Sequence, residues 1–320
     1  MKRFGLVTGI CLVGLVILGA AVSLVWTPFD PIRVVPGQRL QPPGWPHLLG
    51  TDGFGIDTFS RLLVGARMCL VVGIISVSLA AVVGVPLGML AGQAGGWVSE
   101  AVMRLADVVY AFPALLLAIL LAAGFGASTV TAMVAIGVAT MPAFARVARA
   151  GTLQVMASEF VVAARSSGTS PWGVAGRHVL PNIAPLIGVQ ASVGFAMAIL
   201  AEAALSYLGL GTPRPTPTWG TMLRDAQQFL FVDPLQALWP GLAIAMSVLG
   251  WRAWARLAQQ LRRRSRTLRS SGCLFSGARR KKQTESTATF GPLGSQHSSP
   301  HQLHRPRTRR WQPLPAGASA

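Results

Sequence analysis

Long apolar runs separated by short polar intervals dominate the first 260 residues, and one polar interval stands apart from the rest. Lys2 and Arg3 precede an apolar run from Phe4 to Trp26. About 20 helical residues cross a hydrocarbon core, so residues 1–26 are expected to form a retained first transmembrane helix rather than a cleaved signal peptide. Residues 27–67 are rich in Pro and Gly and predict an outer loop. Asp52 and Asp57 in that loop supply too few oxygen ligands for calcium, and they are assigned to loop chemistry. Five more spans are expected within 68–260, at Met68–Ala91, Val102–Ala123, Thr129–Ala145, Ile183–Leu208 and Leu235–Leu257. The count of six is even, so both termini face the same side.

Three features inside these runs carry specific expectations. Gly84, Gly88 and Gly92 recur at i, i+4 and i+8, a small-residue stripe that lets another helix approach closely. Pro86 among them is tolerated where neighbouring helices satisfy the freed carbonyl. Ionisable residues within spans face the bundle interior or a wet cavity, which makes Glu202, Asp107 and Arg104 candidates for pathway-lining or intramembrane pairing. Arg104 and Asp107 stand three apart and are expected to pair on one helical face. For Glu202 a structural role and a place on the pathway stand even.

The polar interval runs from Ala157 to Pro181, ASEFVVAARSSGTSPWGVAGRHVLP. Ala157–Ser167 predicts a short helix closed by Gly168, which tolerates the left-handed conformation a helix end requires. Ser170 offers an N-cap, with Pro171 at the first helical position. The second helix is expected to run to Leu180 and stop at Pro181. Trp172, Ala175 and Val179 recur at i, i+3 and i+7 and predict one apolar face. Two short helices joined by a glycine turn between spans are expected to form a docking surface.

Composition agrees with a membrane protein: 52% of residues are hydrophobic and 12% charged, against about 25% charged in soluble domains. The net charge of +18 is unevenly placed. From Trp251 onward there are 15 Lys/Arg and one acid, a net of +14, which leaves 18 − 14 = +4 for the first 250 residues. A nucleic-acid reading would therefore rest on that segment alone, and no nucleic-acid partner is expected. Residues 261–320 mix Arg, Ser, Pro, Gly and His without an apolar period and predict a disordered basic tail. An abnormal reading frame is the favoured origin of that tail, ahead of an expression scar or a genuine extension. Cys11, Cys69 and Cys273 have neither a disulfide framework nor metal-ligand spacing, and no cofactor is expected. The only lysines are Lys2, Lys281 and Lys282. None follows the glycine-rich turn of a phosphate-binding loop, and no nucleophile or paired-carboxylate motif occurs.

The polar interval also resembles the cytoplasmic loop of binding-protein-dependent ABC importer permeases. That loop reads Glu-Ala-Ala, three residues, Gly, nine residues, an apolar residue, any residue, then Leu-Pro. Here the pattern falls on Val162-Ala163-Ala164, Gly168, His178 and Leu180-Pro181. Val162 replaces the Glu and His178 the apolar residue; the spacing is kept. Three further stretches resemble the dipeptide/oligopeptide branch: His47–Arg67, Gly96–Ile119 and Ile199–Leu223. The resemblance implies an all-α fold of six transmembrane helices, the type I ABC importer permease fold. It implies an ATPase-coupling loop at 157–181 carried by Ala163, Ala164, Gly168, Trp172, Val179, Leu180 and Pro181. It implies a bacterial inner-membrane location with cytoplasmic termini, an orientation that seven inner against six outer basic residues before Trp251 support only weakly. The implied partners are a second permease in a heterodimer, two cytoplasmic ATPase subunits, an extracytoplasmic substrate-binding protein and membrane lipid. The implied substrates are di- or oligopeptides. A nickel or glutathione importer is the alternative within the family, and a secondary transporter or channel without an ATPase is the alternative from another class. Because the chain lacks a phosphate-binding loop, the purified chain in lipid is expected to hydrolyse no ATP until partner subunits are added. A phosphate-release assay on the lone chain checks this, and robust hydrolysis free of contaminating ATPase refutes it.

Overall fold

A computed structural model of the chain describes residues 2–256 and Gln259. The helices are α1 (Lys2–Val25), α2 (Thr58–Ala94), α3 (Gly96–Ala111), α4 (Ala114–Phe125), α5 (Thr129–Met156), α6 (Glu159–Ser166), α7 (Pro171–Val174), α8 (Leu180–Tyr207) and α9 (Trp219–Gln227). A further helical stretch, α10, covers 235–256 and runs to the edge of the described residues. Among the described residues there is no strand beyond an isolated bridge between Thr51 and Asp57. The basic segment 261–320, expected to be disordered, lies outside the described residues.

Four helices are long and apolar enough to cross a membrane: Val7–Val25, Thr58–Ala94, Thr129–Met156 and a continuous Pro171–Tyr207. The pair α3 and α4 makes a fifth when taken as one broken span. That break corrects the single span expected over Val102–Ala123. The two helices meet at 83°, because Pro113 disfavours helical backbone in the residue before it, and Phe112 is extended there (φ −81°, ψ 122°).

Two boundaries also move. α2 begins at Thr58 rather than Met68, since the Asp57 carboxylate accepts the Ser60 N–H at 2.8 Å and caps the helix. Its early turns pack under α9, where a Cβ on Gly65 would stand 2.5 Å from the Trp219 ring. α5 continues past Ala145 to Met156 because its packing partner continues as well.

That partner is α2, and α2 with α5 forms the most extensive helix pair among α1–α9 of the described residues. The predicted glycine stripe forms its seam. A Cβ on Gly84 would lie 2.7 Å from the Met141 carbonyl oxygen, one on Gly88 2.2 Å from that of Ala145, and one on Gly92 2.6 Å from Thr152 Cβ. Real Cβ atoms do not come so near, so the backbones touch where a side chain would hold them apart. Phe144, Ala145 and Ala148 are buried on the α5 side. α8 packs across both helices, with Phe195 against Gly73 and its ring centroid 4.2 Å from that of Trp251 on α10. α1 lies on α2 and meets α10 where Gly9 faces Ala253 and Gly250 faces Val13.

The seam yields a direct test. Gly88→Val is expected to lower thermal stability in detergent by about 1–3 kcal/mol or more, the range for overpacked cores. Gly188→Ala, where a Cβ meets nothing within 4 Å, is expected to melt like the parent. Equal melting of the two variants would refute close approach at the seam.

Candidate functional site

The stretch 157–181 folds as a helical hairpin at the end of the bundle where α2 and α5 finish. α6 closes in a Schellman arrangement: the Thr169 N–H reaches the Ala164 carbonyl at 3.1 Å and the Gly168 N–H reaches that of Arg165 at 3.0 Å. Gly168 has φ +81°, and a Cβ there would meet nothing. Backbone conformation, not space, asks for glycine. Ser170 then caps α7, its Oγ accepting the Gly173 N–H at 3.2 Å, with Pro171 at the first turn. The turn and both caps match the sequence expectation.

The second arm does not end at Pro181. α7 passes through one π-helical segment, Ala175–Val179, straight into α8. The Leu180 N–H bonds to the Ala175 carbonyl, five residues back, and Asn182 Nδ2 donates to the His178 carbonyl at 2.7 Å. The wider register and the side-chain bond accommodate a proline that cannot donate. The π turns also rotate Val179 away from Trp172, which corrects the single apolar face expected for Trp172, Ala175 and Val179. Val179 is fully buried and Ala175 nearly so, whereas Trp172 is 80% exposed. Of the residues expected to couple to an ATPase, Trp172 and Leu180 present apolar surface, Ala163 is exposed, Ala164 is half-buried, and Pro181 sits in the first turn of α8. Phe160 and Val162 add exposed apolar surface on α6. His178 packs its ring against Phe160, centroids 6.1 Å apart, a contact an apolar residue would otherwise make.

The expected pair of Arg104 with Asp107 does not form. Arg104 bonds Glu100 one turn back at 2.6 Å, and Asp107 reaches across to Arg146 on α5 at 2.7 Å. Arg146 also stacks over Tyr110, 4.4 Å from the ring centroid. Each is taken by another partner: Glu100 at i−4 holds Arg104, and the packing of α3 on α5 brings Arg146 to Asp107. Glu202 is 2% exposed and accepts from Ser206 Oγ at 2.8 Å. α9 lies over it: a Cβ on Gly220 would meet the Ala203 carbonyl oxygen at 2.3 Å.

At this far end of the bundle the structure assembles an ion network that sequence reasoning missed. Arg61 on α2 bridges Asp52 of the preceding loop and Asp225 of α9, the latter at 3.0 Å; Arg214 closes on the same Asp225. Arg61, Asp52 and Asp225 are all buried. Asp52 also accepts the N–H groups of Phe54 and Ile56 at 2.8 and 2.9 Å. Beside it, His47 Nδ1 lies 2.9 Å from the Asp57 carboxylate that caps α2. Asp52 and Asp57 thus perform the loop chemistry expected of them, and the contact from residue 61 to residue 225 has no local signal. Trp219 Nε1 donates to the Leu62 carbonyl at 3.0 Å, so α9 is pinned to α2 by charge and by indole together.

The model of the family described as "Binding-protein-dependent transport system inner membrane component" matches residues 84–261, more than half of the chain. The chain belongs to this family of transport-system permeases. The dipeptide transport system permease protein DppC of Alkalihalophilus pseudofirmus is 39% identical over 246 residues, covering 77% of this chain and 81% of that protein. The glutathione transport system permease protein GsiD of Pectobacterium atrosepticum is 40% identical over 225 residues, covering 70% and 75%. A chain of the MetNI methionine ABC transporter, in an inward-facing form, superposes with a TM-score of 0.53 at 17% identity, covering 62% of this chain and 95% of that one. That likeness concerns the fold. The region matched by the family model begins at Gly84, so it takes in the glycine seam, the hairpin, α8 and α9, while the loop carrying Asp52 and Asp57 precedes it.

For this permease the network predicts unequal costs. Asp225→Ala leaves Arg61 buried without one partner, and is expected to destabilise by about 3–5 kcal/mol. Glu100→Ala removes an exposed pair and is expected to stay within about 0–1 kcal/mol. Thermal melts of both variants in the same detergent check the contrast.

Proposed function

We propose that the chain is one permease subunit of an ATP-driven importer of di- or oligopeptides in a bacterial inner membrane. In this reading six spans, α10 being the last, pair with a second permease in a heterodimer. Two cytoplasmic ATPase subunits drive the complex and an extracytoplasmic binding protein delivers the substrate. The observation that carries the reading is the α6–α7 hairpin, which holds Phe160, Val162 and Trp172 out from the bundle on a turn fixed by Gly168. Apolar side chains on a polar surface element are suited to a protein partner. The dipeptide permease relative supports peptide cargo. The glutathione permease relative at 40% identity favours a second reading, and glutathione is itself a tripeptide, so both fall within one substrate class.

Arg146, Arg149, Arg165 and Arg177 cluster in the sequence of the hairpin and the α5 end before it, which supports a cytoplasmic hairpin and cytoplasmic termini. The hairpin receives the ATPase motion and passes it into α8. Val162 stands where the resemblance implies Glu; Glu159, one turn earlier and exposed, supplies the carboxylate in this chain.

The test uses the reconstituted importer. Gly168→Val forces a β-branched residue into left-handed backbone, at about 1 kcal/mol or more. It is expected to insert and bind the substrate protein yet transport a labelled dipeptide poorly. Cysteines replacing Phe160 or Val162 are expected to crosslink to the ATPase subunit, while cysteines at buried Val179 or at Thr212 on the far side do not. Glu159→Gln is expected to weaken stimulation of ATP hydrolysis, and Val162→Glu to restore part of it. Full transport in Gly168→Val with no crosslink at either exposed position refutes the coupling role.

A further inference from the structure

A cavity of about 600 Å³ lies between the last turns of α2 and the hairpin, within the roughly 300–1,000 Å³ typical of small-molecule sites. Val85, Pro86, Met89 and Leu90 form one wall, and Trp172 and Leu180 the other. Almost all of this lining is apolar. The polar exception with a charge is Arg165, at the end of α6, exposed and without an ion-pair partner among the described residues.

Two observations say what fills it. The α2 wall continues into a strip of exposed apolar residues, Val82, Val83 and Leu90, so the cavity opens onto surface of membrane character. Arg146 and Arg149 belong to the α5 turns that face Gly88 and Gly92, the same level of α2 as the cavity. Both are already engaged, Arg146 by Asp107 and Arg149 by Ser99 Oγ at 2.9 Å. Basic residues collect at the level of lipid phosphates on the cytoplasmic side. Arg165 is the one of the three left without a partner, and it sits at the cavity.

We propose that the cavity holds an acyl chain of an anionic phospholipid from the cytoplasmic leaflet, with the phosphate against Arg165. The sidedness rests on the function proposed above. The chain fills an apolar space that water would occupy at a cost, and the phosphate supplies Arg165 with its counter-charge. Trp172 and Leu180 touch the same chain as Met89 and Leu90, so the lipid braces the hairpin against α2. The supply of anionic lipid then tunes how firmly the hairpin transmits motion. An ATPase side chain entering the same space is the competing occupant; the exposed apolar strip of α2 beside an unpaired Arg165 favours the lipid.

The complete importer is reconstituted in phosphatidylethanolamine vesicles with or without phosphatidylglycerol, either lipid carrying a photoreactive diazirine in one acyl chain. The expected result is labelling of two segments, 85–94 and 171–180, stronger from phosphatidylglycerol. Arg165→Gln lowers the preference for phosphatidylglycerol roughly fivefold, the effect of one basic residue at the surface, and Arg165→Lys keeps it. Met89→Trp, which fills the cavity, abolishes labelling of both segments while Leu120, exposed on α4, is labelled as before. Should that variant fail to assemble, Leu90→Trp makes the same measurement. Three results overturn the proposal: no labelling in the assembled importer, labelling only when the ATPase is omitted, or labelling indifferent to headgroup and to Arg165. Labelling is read without transport, so its outcome is separable from that of the peptide assignment.

Discussion

Everything in this bundle hangs on the closeness of α2 and α5. Three glycines at four-residue intervals bring the two backbones to a distance that no side chain fits. In a lipid environment apolar side chains gain nothing by leaving the solvent, so van der Waals contact between backbones takes over. The consequence is a seam in which backbone meets backbone. α8 lays itself across both helices, and α1 lies on α2 and meets α10 through glycine contacts of its own. Outside the seam the chain bends: α3 and α4 break at Pro113.

The two ends of the bundle are held by different forces. At the hairpin end the chain relies on caps and a glycine turn, which fix shape while leaving Phe160, Val162 and Trp172 outside. At the far end it relies on buried charge. Arg61, Asp52 and Asp225 are tied so that the loss of one partner strands another, which makes that end specific in geometry. An exposed apolar hairpin and a buried charged joint are thus built from different chemistry in one chain.

Legibility followed range. The glycine stripe, the helix caps at Ser170, the turn at Gly168 and the apolar runs are periodic or local, and each was readable from residues a few positions apart. The family pattern at 162–181 was readable for the same reason, since it is a spacing. The bend at Pro113 was also local but was outweighed by the length of the apolar run. Non-local partners were not readable. Asp107 has Arg104 three residues away and Arg146 thirty-nine away, and only the packing of α3 on α5 decides between them. The ion network joins residue 61 to residue 225 across 164 positions, with nothing in either neighbourhood to announce it. Pro181 misled because a π segment, which leaves no sequence signature of its own, carries the helix past it.

That π segment changes how the hairpin and the far end can speak to each other. From Pro171 to Tyr207 the backbone is one uninterrupted helix, about 55 Å long at 1.5 Å per residue. Trp172 rides on its first turn and Glu202, under α9, near its last. Had Pro181 ended the helix, a tug on the hairpin would have been absorbed in a flexible corner. The continuous helix instead joins the two tips with no loop between them. The five π residues set its register at the hairpin end, with the Leu180 N–H on a carbonyl five residues back rather than four.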